Sequence, residues 1–171
     1  MQKNLEDFDG SAAVFIDANI FLHHAFNTNA NCIEFLRSIE LFNYKVYTSA
    51  LVLEEIYFKL LMQSASNFMS KVTLHHLKSL LTNEKQRKQV FAPVMEYVKY
   101  IDILEDYGLK IAELQDIDMG KAVQKAGVYG LITADAAHLA VMERKGITNI
   151  ATCDNDFKIV AGITVWMPGN A

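Results

Sequence analysis

Ala12-Ala13-Val14-Phe15-Ile16 is an uninterrupted apolar run, and Asp17 follows it directly. A short run of this kind reads as a strand buried on both faces, as in parallel sheets covered by helices. Four more segments have strand character: Lys45-Val46-Tyr47-Thr48, Leu109-Lys110-Ile111-Ala112, Asn149-Ile150-Ala151-Thr152 and Ile163-Thr164-Val165-Trp166. Helical periods separate them. Asn31 has Glu34 three residues on, which predicts a capped helix through Ile33, Leu36 and Ile39 that ends at Asn43. Ser49 is expected to cap a helix from Ala50 to Met62. Residues 63–107 read as an extended helical region, with two helices parting near Thr82-Asn83 and Pro93 starting or kinking the second. Further helices are expected from Asp116 to Ala126, ended by Gly127, and from Thr133 to Arg144, ended by Lys145-Gly146. This alternation predicts one α/β domain over residues 1–171, with a central, mainly parallel five-stranded sheet flanked by helices.

The composition is 51% hydrophobic and 21% charged, ample for a packed core. No apolar run approaches the ~18 residues a membrane-spanning helix needs. The polar N-terminus has no secretory character, so a cytoplasmic location is expected. A formal charge of −4 is not that of a protein with a broad basic face. A cluster of unpaired acids would explain part of the deficit, and a bound cation would reverse its local sign. Cys32 and Cys153 make neither a disulfide framework nor a CxxC pair, and they read as buried free thiols.

The positions of the acids carry more information than their number. Asp17 ends the first strand, and Asp154 and Asp156 follow the fourth. Glu55 falls in the second turn of the helix after the second strand, and Asp135 in the first turn of another helix. In open α/β sheets, ligands bind beyond the carboxyl ends of the strands, where helices following parallel strands also begin. Each acid has a local explanation, as a turn residue, a helix-end charge or a partner for Lys59. Their convergence on one edge is harder to explain locally, because clustered carboxylates repel unless a cation joins them. Oxygen ligands alone favour Mg²⁺ or Mn²⁺ over zinc. Such an ion activates water and neutralises a leaving oxygen, so no separate nucleophile is needed.

Four segments resemble the PIN-domain nucleases, including the toxins of toxin–antitoxin pairs: Phe15-Ile16-Asp17-Ala18-Asn19-Ile20, Thr48 to Ile56, Thr133 to Ala140, and Ala151 to Phe157. The resemblance implies a PIN-like fold and a catalytic, metal-binding set of Asp17, Glu55, Asp135 and Asp154, with Asp156 as accessory metal acid. It selects Glu55 over Glu54, and it gives Asn19 and Thr152 supporting roles. It further implies divalent-metal-dependent cleavage of single-stranded RNA, often by a homodimer, and an antitoxin partner for members of the toxin type. Nothing in the resemblance accounts for residues 63–107.

His23-His24 and His75-His76 do not form chelating pairs, because adjacent helical residues diverge. His138, one turn after Asp135, is expected to pack. Lys121, Lys125 and Lys158 are candidate phosphate contacts near the active edge. Lys85, Arg87 and Lys88 suit phosphate or simply a solvated helix end. The alternative to an enzyme is a non-catalytic PIN-like RNA-binding or scaffold domain, which an intact acid set disfavours. A phosphatase is disfavoured by the absence of Asp-x-Asp after the first strand.

Overall fold

The computed structural model describes residues 1–169. In chain order the elements are β1 (Gln2–Asn4), β2 (Val14–Ile16), α1 (Ala18–Ala25), α2 (Ala30–Phe42), β3 (Val46–Ser49), α3 (Ala50–Ala65), α4 (Leu74–Thr82), α5 (Glu84–Asp106), β4 (Leu109–Ala112), α6 (Asp116–Tyr129), α7 (Thr133–Lys145), β5 (Asn149–Ala151) and β6 (Thr164–Met167). The strands form one sheet in the order β1-β6-β5-β2-β3-β4, and every pair in it is parallel. Val14, Phe15 and Ile16 on the central strand have no exposed surface, as expected of a strand covered on both faces.

The sheet has six strands rather than the expected five. The sixth, β1, runs parallel to β6 at the sheet edge, and all three of its residues are exposed. A polar edge strand held by backbone bonds alone has no apolar alternation to betray it. Two caps also differ from the sequence reading. Helix α2 is capped by Asn29, whose side chain accepts from the backbone N–H groups of Asn31 and Cys32, while Asn31 itself turns to Glu6. Helix α6 continues through Gly127 and ends where Gly130 adopts a left-handed φ of 70°. A glycine inside a helix costs only about 1 kcal/mol, so it need not end one. Ser49 and Asn43 occupy the cap positions assigned to them, and Gly146 closes α7.

The region 63–107 is helical, and α4 and α5 part at Asn83. Asn83 caps α5 through its side chain, so Pro93 lies inside that helix and does not start it. Leu77, Leu80, Val90 and Ala65 form a small apolar cluster of their own beside the main core. No helix among the described residues is long and apolar enough to cross a membrane.

A candidate metal centre at the carboxyl edge of the sheet

Strand β2 lies between β5 and β3, and from it the chain order runs outward in both directions. The strand order therefore reverses beside β2, where a parallel sheet opens a crevice at its carboxyl edge. Asp17 leaves β2 at that point as the N-cap of α1, with its own N–H bonded to the carbonyl of Ala151 on β5. Its carboxylate is only 6% exposed. Oδ1 accepts from the Ala18 N–H at 2.7 Å, and Oδ2 accepts from Asn19 Nδ2 and Thr152 Oγ1, both at 2.6 Å.

Thr152 is the joint between the two strand ends. Its hydroxyl donates to Asp17 while accepting from Asn19 Nδ2 at 3.1 Å and from the Asp154 N–H at 2.9 Å. Asn19 Oδ1 accepts from the Cys153 N–H at 2.8 Å. The loop after β5 is thereby fixed against the start of α1. Asp154 Oδ1 in turn accepts from the Asp156 N–H at 2.8 Å, starting a short 3-10 turn.

Asp135 stands in the first turn of α7, half-buried. Burial, then the negative charges of Asp17, Asp154, Asp156 and Glu55, push its carboxyl up to about 6. The other four acids selected from the sequence therefore lie within electrostatic reach of Asp135. Asp17 is also raised above its ordinary value, first by burial and then by Asp154, against the pull of its hydrogen bonds.

A second buried acid provides the contrast. Asp118 has no exposed surface, yet Arg144 Nε donates to both its oxygens at 3.0 and 3.1 Å, and its pKa falls. Asp17 has only neutral donors and negative neighbours. A buried carboxylate left in that condition is one that a cation would satisfy.

The donor set fits a hard cation: carboxylates alone, with Oδ1 of Asp17 engaged by a single bond. Among the described residues no three His, Cys, Asp or Glu side chains stand close enough to enclose an ion by themselves. Mg²⁺ keeps several waters and takes one or two carboxylates directly. Asp17, Glu55, Asp135, Asp154 and Asp156 are the residues that would hold it.

Glu55 is half-buried on α3 while Glu54 is exposed. Adjacent helical residues diverge by about 100°, and Glu55 is the one whose charge reaches Asp135 and His138. Glu55→Gln is expected to remove most nuclease activity and Glu54→Gln to leave it within about twofold. The opposite ranking in a cleavage assay would overturn this register.

Three of the remaining candidates fall elsewhere. Lys121 and Lys125 both pair with Glu143, eight residues and about 12 Å along α7 from Asp135. His138 is buried beside Phe15, with ring centroids 5.5 Å apart, and burial lowers its pKa to about 4. It makes no hydrogen bond to Asp135, so it packs. Lys158 is exposed and lines a cleft of about 590 Å³ with His23, Thr28, Cys153 and Asn155; none of the five acids is in its wall, and Cys153 and Asn155 flank Asp154 in the chain. His23, Thr28 and Asn29 were not legible as cleft residues, because only the turn after α1 brings them to β5. Cys153 is half-buried rather than buried, and Cys32 is buried as expected.

A family model described as "PIN domain" matches residues 14–163 of the chain. No curated protein sequence is significantly similar to it. Among solved structures, it is similar to VapBC2 from Rickettsia felis, bound to a DNA fragment from its promoter, at 13% identity and a TM-score of 0.54, covering 91% of this chain and 98% of that one. It is also similar to VapC20 from Mycobacterium tuberculosis, a Sarcin-Ricin loop cleaving toxin, at 15% identity and a TM-score of 0.54, covering 88% and 96%.

Proposed function

This chain belongs to the PIN-domain family of nucleases, and we propose that it is a divalent-metal-dependent endoribonuclease that cuts single-stranded RNA. The observation that carries this reading is Asp17, a buried carboxylate at the carboxyl end of β2 whose side-chain partners are all neutral donors and whose charged neighbour Asp154 is negative. A charge cluster of this density serves no folding purpose, and its cost is offset once a cation and a phosphodiester enter.

A divalent ion at these acids would lower the pKa of an attacking water and offset charge on the departing oxygen. The chain's own groups have separable parts. Asp17 is the anchor, held by Ala18, Asn19 and Thr152 so that one oxygen stays directed. Asp135 brings a further carboxylate to the cluster from the first turn of α7. Thr152 couples the Asp17 and Asp154 strand ends, and Lys158 in the adjoining cleft suits the RNA backbone. The cleft volume of about 590 Å³ is within the ~300–1,000 Å³ of small-molecule sites, enough for a nucleotide.

His138 and Cys153 are near the acids, but His138 is buried against Phe15, and among the described residues no side-chain hydrogen bond links either of them to an acid. Hydrolysis by water in line leaves a 5′-phosphate and a 3′-hydroxyl, and the ribose 2′-OH takes no part. End-group analysis of a cut single-stranded RNA, with and without EDTA, tests this. Cyclic phosphate ends, or cutting that persists in EDTA, would sink the mechanism. The similarity to VapBC2 and to the VapC20 toxin supports a toxin role with an antitoxin partner.

A further inference from the structure

The charge of this chain is divided unevenly along it. Between Leu60 and Met95 stand five basic residues, Lys71, Lys78, Lys85, Arg87 and Lys88, and one acid, Glu84. The rest of the chain carries eleven basic residues and nineteen acids. A domain with net charge −4 therefore concentrates positive charge on the loop before α4, on α4 and on the first half of α5, while the second half of α5 carries Glu96, Asp102, Glu105 and Asp106 against Lys99 alone. All five basic side chains are exposed, and Leu77, Leu80 and Val90 hold the hairpin together from inside.

Two of these charges serve the helices, Arg87 Nη1 donating to the Leu81 carbonyl at 3.0 Å and Lys88 pairing with Glu84 one turn back, and the three lysines Lys71, Lys78 and Lys85 do not. Lys85, Arg87 and Lys88 lie within the first five residues of α5, while Asp102, Glu105 and Asp106 lie within its last five. Both groups oppose the macrodipole, which favours acids at the N-terminus and bases at the C-terminus. Only Lys88 has a carboxylate partner among the described residues, Glu84 at 2.6 Å. Lys71, Lys78 and Lys85 have none there.

The hairpin also holds a cleft. Ser70, Lys71, His76, Ser79 and Gln86 line a recess of about 360 Å³ with no acid in its wall. His76 Nδ1 lies 3.0 Å from the Lys71 carbonyl, which ties the loop before α4 to that helix. A recess with Lys71 in its wall and the polar side chains of Ser70, His76, Ser79 and Gln86 around it, beside Met69 and Leu80, suits a phosphodiester. Ten residues of α3 separate Glu55 from Ala65, at the base of the hairpin, or about 15 Å.

We propose that the α4–α5 hairpin is a second nucleic-acid contact, whose Lys71–His76–Gln86 cleft seats a backbone phosphate of the single-stranded RNA cut at the carboxylates. This rests on the RNA reading of that site and names where the strand is gripped. The contact is electrostatic and independent of base sequence.

The test is fluorescence anisotropy of a labelled oligouridylate of about 20 nucleotides, longer than the ~4–16 one surface covers, in EDTA so that nothing is cut. Lys71→Gln combined with Lys85→Gln is expected to weaken binding about tenfold at low salt, and to flatten the slope of log K against log salt by about 1.4, or ~0.7 per phosphate contact. Lys45→Gln with Lys99→Gln removes the same charge from exposed positions elsewhere and should change binding less than twofold. The double Lys→Arg variant of the hairpin should bind as the unaltered protein does. Equal weakening by both Gln pairs, or none by the hairpin pair, overturns the proposal. So does tighter binding of labelled poly-glutamate than of RNA, which would assign the hairpin to an acidic protein. A protein that binds RNA through these lysines and does not cut it refutes the nuclease reading alone.

Discussion

Asp17→Asn is expected to lower the rate of single-stranded RNA cleavage roughly 10²–10³-fold, the loss typical when one preorganised electrostatic group is removed. The fold should survive. An amide oxygen in the place of Oδ2 still accepts from Thr152 Oγ1 and Asn19 Nδ2. The amide nitrogen then faces the Ala18 N–H, and loss of that cap costs about 1 kcal/mol. Removing a buried charge that has no counter-ion offsets that loss. Calorimetry on the folded variant should find Mn²⁺ affinity reduced at least ~10-fold. Undiminished affinity in a folded Asp17→Asn protein would remove Asp17 from the centre, and with it the reason for the cluster.

Asp135→Asn is expected to separate stability from activity. The carboxyl of Asp135 is raised from 3.8 to about 6 in the folded chain, so the folded state holds its proton more tightly than the unfolded state does. Its contribution to stability is complete below pH 3.8 and is lost as pH rises through 6. The Asn variant should therefore melt with the unaltered protein near pH 3.5 and above it at pH 7 when divalent metal is absent. Asp135 is about half exposed, and screening reduces the gain to about 1 kcal/mol, or ~2–4 °C in a domain of this size. Added Mg²⁺ or Mn²⁺ should raise the melting point of the unaltered protein and close the gap, while RNA cleavage by the variant stays at least ~10²-fold lower. His138 changes with pH in the opposite sense, since burial lowers it to about 4. For that reason the difference between variant and parent at each pH is the quantity to compare. A gap that is the same at pH 3.5 and pH 7 would show that Asp135 is not crowded by the other acids.

The two experiments bear on one arrangement from opposite sides. Asp17 and Asp118 are both buried acids, yet the chain supplies Arg144 to one and only neutral donors to the other. A fold selected for stability alone would have treated them alike.

Local residue chemistry determined the strand at Val14–Ile16, the caps at Ser49 and Asn43, and the helical character of residues 63–107. Apolar periodicity and cap side chains act over a few residues, so they are legible before the chain folds. The same locality placed Asp17, Asp135 and Asp154 at strand and helix ends. Edge strand β1 was out of reach, because its residues are held by backbone pairing to β6, more than 160 positions away, and bury nothing. The pairing of Lys121 and Lys125 with Glu143 was equally hidden. It depends on how α6 packs on α7, and spacing along the sequence says nothing about that. The link from Asp17 through Thr152 to Asp154 was decided by tertiary structure alone, since hydrogen-bond geometry between β2 and β5 exists only once the parallel sheet has brought positions 17 and 152 together. Sequence therefore determined which acids could act. The sheet decided which of them meet, because charges interact through space and the chain controls that space only when folded.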